Sequence, residues 1–540
     1  MSTLPVSARL ADAAVLADGV RPRPWDRIGP VVIALANVAL AFGLGLLIAN
    51  DAVLGFAIVL LVLGAILLLT RPGVATIAVI AILYSNAAAI ATRIHGVPLV
   101  VAGAFPLLLI IPLVYYLVIR REPLLVTTPL RLIVALFFAE LIGTILSRDP
   151  LTASGVLLTF AIEGVALFFL VTNVVRDLTM LRRAVWVLVI VGGSLGWLSG
   201  YQQASGELNQ DFLGFAQVSN AVLAVGETAA GDIVQHRLAG PIGEKNRYAQ
   251  ILIVLLPLAF TRIWDERSRL LRLLAIVCAA GIGTGVALTF SRGAALGFGI
   301  TVVIMVVLRY IPVRQLLALV LAGVVFLAAF PSYAARLTTL EDVPGATASA
   351  GQTTADTAIR GRATEGLAAA LAFIDFPIFG TGPGLFPSYY RHYANDIAIR
   401  IEHTDREAHN LYLDRAAQTG IVGLVLFLAI VGVIFRDLSR ARRRWLDRRP
   451  DLANMATGFA LALVTYLTTG LFLHLSFERY YWLLIGLATM AAWIALHTPD
   501  DEPPPSWSRA AGRREVSPAS VPTRPASLPT GSVAVPRASG

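Results

Sequence analysis

A single cysteine, Cys278, is the only thiol in 540 residues. That excludes a disulfide framework within the chain and any Cys-based zinc site. Charge is scarce as well: Asp, Glu, Lys and Arg make up 14% of the residues, against roughly a quarter in a soluble protein. A soluble chain of this length would divide into about three or four charged domains, so that class is excluded. No period-2 alternation of the transmembrane-barrel kind is present. No internal repeat of fixed period is visible, which argues against designs built on inverted repeats. What the chain does have is hydrocarbon. Hydrophobic residues reach 57% and the mean hydropathy is +0.74. The apolar residues fall in runs of about 18 to 22, each long enough to cross a bilayer core of roughly 30 Å as a helix.

About fourteen such segments begin near Pro30, Ala52, Gly73, Pro98, Leu130, Gly155, Ala184, Tyr248, Leu270, Gly293, Gln315, Gly420, Met455 and Tyr480. Backbone polar groups in hydrocarbon must be satisfied within the segment, so these runs are helices. The predicted fold is all-α, a polytopic transmembrane bundle of about 12–14 spans with two long outer loops. The net charge of +9, from 43 Lys and Arg against 34 Asp and Glu, lies in loops flanking the membrane. It therefore reads as orientation, and no nucleic-acid partner is expected. Placing Arg9, Arg21, Arg23 and Arg27 inside and alternating puts Arg71, Arg120, Arg121, Arg176, Arg182 and Arg183 on the cytoplasmic side. Arg262 to Arg272, Arg309, Arg314 and Arg436 to Arg449 follow them there.

The resulting organisation is a cytoplasmic N-terminal segment (1–27), N-terminal transmembrane helices (28–200) and a first long extracytoplasmic loop (201–247). Central transmembrane helices (248–331) lead to a second long extracytoplasmic loop with a partly helical active-site segment (332–419). C-terminal transmembrane helices (420–497) and a disordered cytoplasmic tail (498–540) complete the chain. The tail is rich in Pro, Ser, Ala and Arg and poor in large apolar groups. The first apolar run lacks a small-residue cleavage pattern and reads as a retained helix.

Six of the seven histidines, His95, His236, His392, His403, His409 and His474, fall on or beside the outer face, and only His497 lies inside. Histidine suits proton transfer near neutral pH, although solvated loops also collect polar residues. Arg237 and Arg292 are outside arginines, which the positive-inside bias disfavours. Arg292 sits in a very short outer turn, Thr289-Phe290-Ser291-Arg292-Gly293. It either snorkels to the interface or clamps a phosphate through its planar fork.

The second loop contains Phe379-Gly380-Thr381-Gly382-Pro383-Gly384-Leu385-Phe386, a tight turn and not a dinucleotide fingerprint. A charged stretch follows with Arg391, Asp396, Arg400, Glu402, Asp405 and Arg406. Next comes a helix start at His409, with Tyr412, Leu413 and Ala416 on the same face. A helix N-terminus disfavours the imidazolium, so His409 is expected to stay neutral and accept a proton. The spacings of His392, His403 and His409 match no zinc motif, and no metal or cofactor is expected.

Taken together these residues resemble the O-antigen ligase family, polytopic glycosyltransferases that include O-antigen and exopolysaccharide polymerases. The resemblance rests on Arg237-Leu-Ala-Gly240 with Asn246, Ser291-Arg292-Gly293 opening a span, the Gly380–Phe386 turn, and His409-Asn410-Leu-Tyr412-Leu413 followed by Gly420 and Gly423. It covers about 200 residues, and the N-terminal half matches only as generic membrane helix.

The resemblance implies a GT-C-like bundle in the bacterial inner membrane, with both termini cytoplasmic. Its active site faces the periplasm, the donor is an undecaprenyl-diphosphate-linked glycan, the acceptor is a glycan or lipid, and no metal is required. It assigns the donor diphosphate to Arg237 and Arg292, with Lys245 as a further candidate, and assigns activation of the acceptor hydroxyl to His409. Supporting positions are Asn246, Ser291, Asn410, Tyr412, Arg391 and Arg406. Two departures stand out. Gln418 replaces a Glu common in relatives, and Glu244-Lys245-Asn246 replaces Asn-Pro-Asn. A polymerase shares the donor. A lipid-oligosaccharide flippase or transporter, with intramembrane charges such as Glu140 and Glu163, is the alternative from another class.

Overall fold

The computed structural model describes residues 71–98, 105–225, 233–308, 357–397, 405–474 and 478–509, with a few isolated positions between 316 and 328 and residue 540. Contacts divide the chain into two units, Met1–Val74 and Ala75–Gly540, and the helical bundle belongs to the second. The apolar segments expected near Pro30 and Ala52 lie outside the described residues.

Among the described residues, eight helices are long and apolar enough to cross a membrane. They are α1 (Thr128–Leu146), α2 (Pro150–Val174), α3 (Leu178–Ser205), α4 (Lys245–Asp265), α5 (Arg269–Leu288), α6 (Leu411–Trp445), α7 (Pro450–Phe472) and α8 (Arg479–His497). Pro72–Tyr84 and Ala87–Arg93 form a bent pair of helices. The helix Arg292–Val307, here α9, is shorter. The fold is an all-α polytopic bundle.

Side-chain caps set where the spans begin. Thr127 accepts from Leu130 N, Asp149 from Thr152 N, Asp177 from Met180 N and Ser268 from Leu271 N. Each such cap contributes about 1 kcal/mol by satisfying an otherwise orphaned donor. Pro257 lacks the N–H that Ile253 would receive, and α4 breaks at Val254 accordingly.

Helices α3 and α5 approach through small residues. A Cβ on Gly196 would lie 1.9 Å from Gly281 O, and one on Gly193 2.8 Å from Cys278 Cα. In a bilayer such close backbone packing replaces the missing hydrophobic drive between helices. Cys278 is therefore a small packing residue at this crossing.

The connections collect at two ends of the bundle. At one end lie Arg176–Glu122 (3.0 Å), Arg182–Glu266 (2.7 Å) and Arg449–Asp451 (2.8 Å). The expectation of an unfolded tail from residue 498 is corrected here for residues 498–509. Asp500 pairs with Arg444 at 2.7 Å, Arg267 N donates to Trp507 O, and the Trp507 ring lies under Arg182 and Arg262. One tryptophan among arginines gives this segment a binding contact that its composition concealed.

The other end carries the turn at 147–149, the turn at 289–291, residues 357–397 and 405–410, and a hairpin. Strands β1 (Gln217–Val225) and β2 (Ile233–Gly240) pair antiparallel, with Ser219 opposite Arg237 and an irregular register between Ser219 and Leu223. The sequence alone predicts only a loop here; the Val-rich stretch from Val218 to Val225 is the strand signal within it.

Candidate active site at one end of the bundle

Asn410 caps α6. Its side-chain oxygen accepts from Tyr412 N at 3.0 Å and Leu413 N at 3.1 Å, while its amide donates to Leu471 O at 3.2 Å. The helix thus starts at Leu411, and His409 lies just outside it with φ +46°. This corrects the expectation of a helical face shared by His409, Tyr412, Leu413 and Ala416. A left-handed histidine is uncommon and strained, and such residues cluster where geometry serves function. The Tyr412 hydroxyl donates to Leu467 O at 3.1 Å, pinning α6 to α7.

Outside the helix, His409 finds two acceptors. Its Nδ1 lies 3.1 Å from Glu365 Oε2 and 3.1 Å from the Glu407 carbonyl. Two acceptors at one nitrogen fix the proton there and leave the lone pair on Nε2. Burial, the largest effect, lowers the imidazole pKa, but the Glu365 hydrogen bond and charge together with the Glu407 carbonyl outweigh it, so the pKa is raised from 6.5. The helix N-terminus is not what governs this histidine; a carboxylate is.

Glu365 belongs to α10 (Thr357–Asp375), is 2% exposed, and also receives Arg406 at 3.3 Å. Sequence reasoning missed it. The available signal was a lone carboxylate one turn after Arg362 in an Ala-rich helix of the outer loop.

Arg362, also missed, stacks near the Phe472 ring at 5.9 Å. It shares a small pocket with Asn246, Ser291 and Gly293. This pocket joins the two halves of the site, because α10 carries both Arg362 and the partner of His409. Arg237 reaches the same region from β2. Its Nε donates to Thr289 O at 2.7 Å, and Nη2 to Phe290 O and Asn246 Oδ1, both at 3.2 Å. Arg237 is 4% exposed and ties the hairpin to the α5–α9 turn, where Phe290 has φ +53°. Ser291 caps α9 by accepting from Ala294 N, and Arg292 is the first residue of that helix, half-buried. A helix N-terminus with an arginine on it favours an anion.

Lys245 Nζ donates to Ser219 Oγ at 3.4 Å. Glu244 caps α4 by accepting from Asn246 N and Arg247 N, which gives the unusual Glu-Lys-Asn triplet a structural reason. Arg247, buried, donates to Gln250 at 2.9 Å. Arg391 forms an exposed pair with Asp405 at 2.7 Å, away from His409's own contacts. Arg400, Glu402 and His403 lie outside the described residues. His95 lies against Leu213 O and His392 against the Tyr393 ring, each beside a partner other than His409.

A second histidine flanks the first. The His474 ring centroid is 5.5 Å from that of His409. Burial, helped by the charges of Arg247, His409 and Arg415, holds it well below 6.5. It is neutral when His409 titrates. Glu407, with Oε2 4.0 Å from His474 Nε2, is pushed up to about 7 by burial and by Asp414, against the lowering pull of His409 and Arg247.

The glycine turn supports the same helix start. Thr381 N and Gly382 N donate to the Ala417 and Gln418 carbonyls, and a Cβ on Gly380 would lie 2.2 Å from Gln418 C. The Gln418 side chain accepts from Gly384 N and donates to Asp414 Oδ1. Glutamate offers no such donor. Among the described residues, no three His, Cys, Asp or Glu side chains converge as a ligand set for an ion.

Residues 274–428 match the sequence model of the O-Antigen ligase family. This segment is similar to an O-antigen ligase domain. It contains Arg292, Arg362, Glu365, His409 and Gln418; Arg237, Lys245 and Asn246 precede it. No curated protein matches the chain. The O-antigen ligase domain marks a multi-pass membrane enzyme of ligase or polymerase-like, glycosyltransferase-like kind, acting on lipid-linked glycans.

Proposed function

We propose that this protein transfers a glycan from undecaprenyl diphosphate to an acceptor hydroxyl, as an O-antigen ligase at the periplasmic leaflet of the inner membrane. The observation that carries the reading is the Glu365–His409 contact, which leaves Nε2 as base, on the helix whose Arg362 faces the Ser291–Gly293 turn.

In the reaction the acceptor oxygen attacks the anomeric carbon and its proton passes to His409 Nε2. The bond from that carbon to the diphosphate oxygen breaks with inversion, and undecaprenyl diphosphate leaves with the electron pair. Arg292 at the start of α9 and Arg362 from α10 stabilise the charge that builds there, while Arg237 and Asn246 hold the turn that presents Arg292. No step requires a metal ion. Orientation is supported by the arginines at the opposite end, from Arg176 and Arg182 to Arg449, which mark it as cytoplasmic. Glu140 and Glu163, the charges that favoured a transporter, are paired with Arg415 at 2.8 Å and Arg479 at 2.9 Å.

The test is full-length purified protein with a synthetic undecaprenyl-diphosphate glycan and candidate acceptors, chelator present, products read by mass. Transfer to a non-carrier acceptor is expected; elongation on the same carrier makes it a polymerase, and absence of diphosphate release refutes the enzyme reading. Arg292→Ala, Arg237→Ala and His409→Ala are each expected to insert normally and to lose transfer. Wild-type transfer by both arginine variants would sink the donor assignment.

A further inference from the structure

A separate cleft opens where the α1–α2 turn meets the glycine turn. Its cavity is about 440 Å³, and Arg148, Asp149, Thr152, Ser388, Tyr389 and Asp405 are among the residues that line it. The glycines make the wall. Gly382 (φ +103°) lies where a Cβ would meet Ser147 Cβ at 2.7 Å, and Gly384 (φ +74°) where one would meet Val156 Cγ2 at 2.5 Å. The glycine turn, which the transfer chemistry leaves unused, therefore brings the 382–384 backbone directly onto Ser147 of the α1–α2 turn and Val156 of α2.

The lining combines polar groups of both signs with an apolar face from Leu385, Pro387 and the Tyr389 ring. Arg148 lies over the Tyr389 ring at 5.1 Å and the Phe376 ring at 6.0 Å, which holds the guanidinium in place, and it has no carboxylate partner among the described residues. The same cleft holds Asp149, which accepts from the Thr152 hydroxyl, Asp405, which pairs with Arg391 at 2.7 Å, and the Ser388 hydroxyl, which donates to Leu385 O. A guanidinium fork with carboxylates and hydroxyls fits neighbouring hydroxyl groups that both donate and accept. An anionic ligand would meet Asp149 and Asp405, and a cationic one Arg148; an uncharged pyranose uses both sets.

The cleft also lies within reach of the base. Asp405 is four residues from His409, so their Cα atoms are separated by at most about 14 Å, a few sugar rings.

Resting on the glycosyltransferase reading, we propose that this cleft is a glycan-binding subsite holding uncharged pyranose rings of a substrate while His409 acts on it. Either substrate supplies this chemistry, the acceptor glycan or the donor glycan beyond its reacting sugar.

The experiment uses full-length protein in nanodiscs and the variants Arg148→Gln and Ser388→Ala with Asp405→Asn, none of which touches His409 or the arginine pocket. The first arm titrates glycan released from its carrier by mild acid and reads direct binding. The second measures KM separately for the acceptor and for the undecaprenyl-diphosphate glycan. The expected result is a loss of carrier-free glycan binding of about tenfold or more, from one charge-assisted hydrogen bond, with kcat kept. A matching rise in acceptor KM assigns the cleft to the acceptor, and one in donor KM assigns it to the donor. Unchanged binding and unchanged KM values in both variants overturn the subsite while wild-type transfer leaves the enzyme reading standing. If wild-type protein transfers nothing, the binding arm still decides: glycan binding lost in the variants supports the cleft, and binding that is absent or unaltered overturns it.

Discussion

Replacing Glu365 by glutamine removes one negative charge 3.1 Å from His409 Nδ1 and leaves the side chain nearly the same size. A hydrogen bond to a charged group contributes about 1.5–3 kcal/mol, and this one holds the ring as well as raising its basicity. Loss of that interaction corresponds to about 10- to 100-fold in kcat, inside the roughly 10²- to 10⁴-fold range of a general base. The pH profile supplies a sharper readout. Glu365 raises the His409 pKa against a burial effect that lowers it. The base form of His409 accumulates as pH rises through that raised pKa, so wild-type kcat/KM falls on the acid side. Glu365→Gln leaves burial dominant, and the acid limb moves to lower pH while the plateau drops.

The assay is glycan transfer between about pH 5 and 9 with saturating donor, together with a melting curve to establish that the variant folds. The double variant with His409→Ala is the control. If Glu365 acts through His409, the double variant is no slower than His409→Ala alone. Multiplicative losses, or an acid limb that does not move in Glu365→Gln, would refute the reasoning.

Gly380→Ala is expected to lower stability by about 2–5 kcal/mol, combining a left-handed alanine with overpacking against the Gln418 backbone; denaturant or thermal unfolding in detergent checks it. Glu407→Gln is expected to raise the melting temperature above pH 7 and to leave it unchanged near pH 4. The wild-type carboxyl titrates at about 7 when folded against 4.5 unfolded, so its ionisation costs stability as pH rises across that window. An unchanged or lowered melting temperature at pH 8 contradicts the raised carboxyl.

The bundle was legible because each span is long, apolar and flanked by arginines, signals that need no tertiary information. His409, Arg237 and Arg292 stood out as candidates for a related reason: in a chain with 14% charged residues, polar groups on the outer side are few. Glu365 and Arg362 were not, because their meaning depends on α10 lying beside the start of α6, a contact across more than forty positions. The β-hairpin was hidden by the larger contrast between loop and span. The docking of residues 498–509 rests on Trp507, a single ring in a sequence otherwise typical of unfolded tails.

Gln418 shows how an apparent loss changes meaning once the partners are in view. Read along the chain, it removes a possible carboxylate partner. In the fold its amide must donate to Asp414 while accepting from Gly384 N, and a glutamate there would place a second negative charge against a buried Asp414. The repulsion would loosen the first turn of α6, and with it Asn410 and the left-handed His409. With the carboxylate supplied from α10, the base is oriented across two helices, so any motion of α10 relative to α6 changes its basicity and its aim together. The two roles are thus separate: glutamine locks the helix start, and Glu365 orients the imidazole.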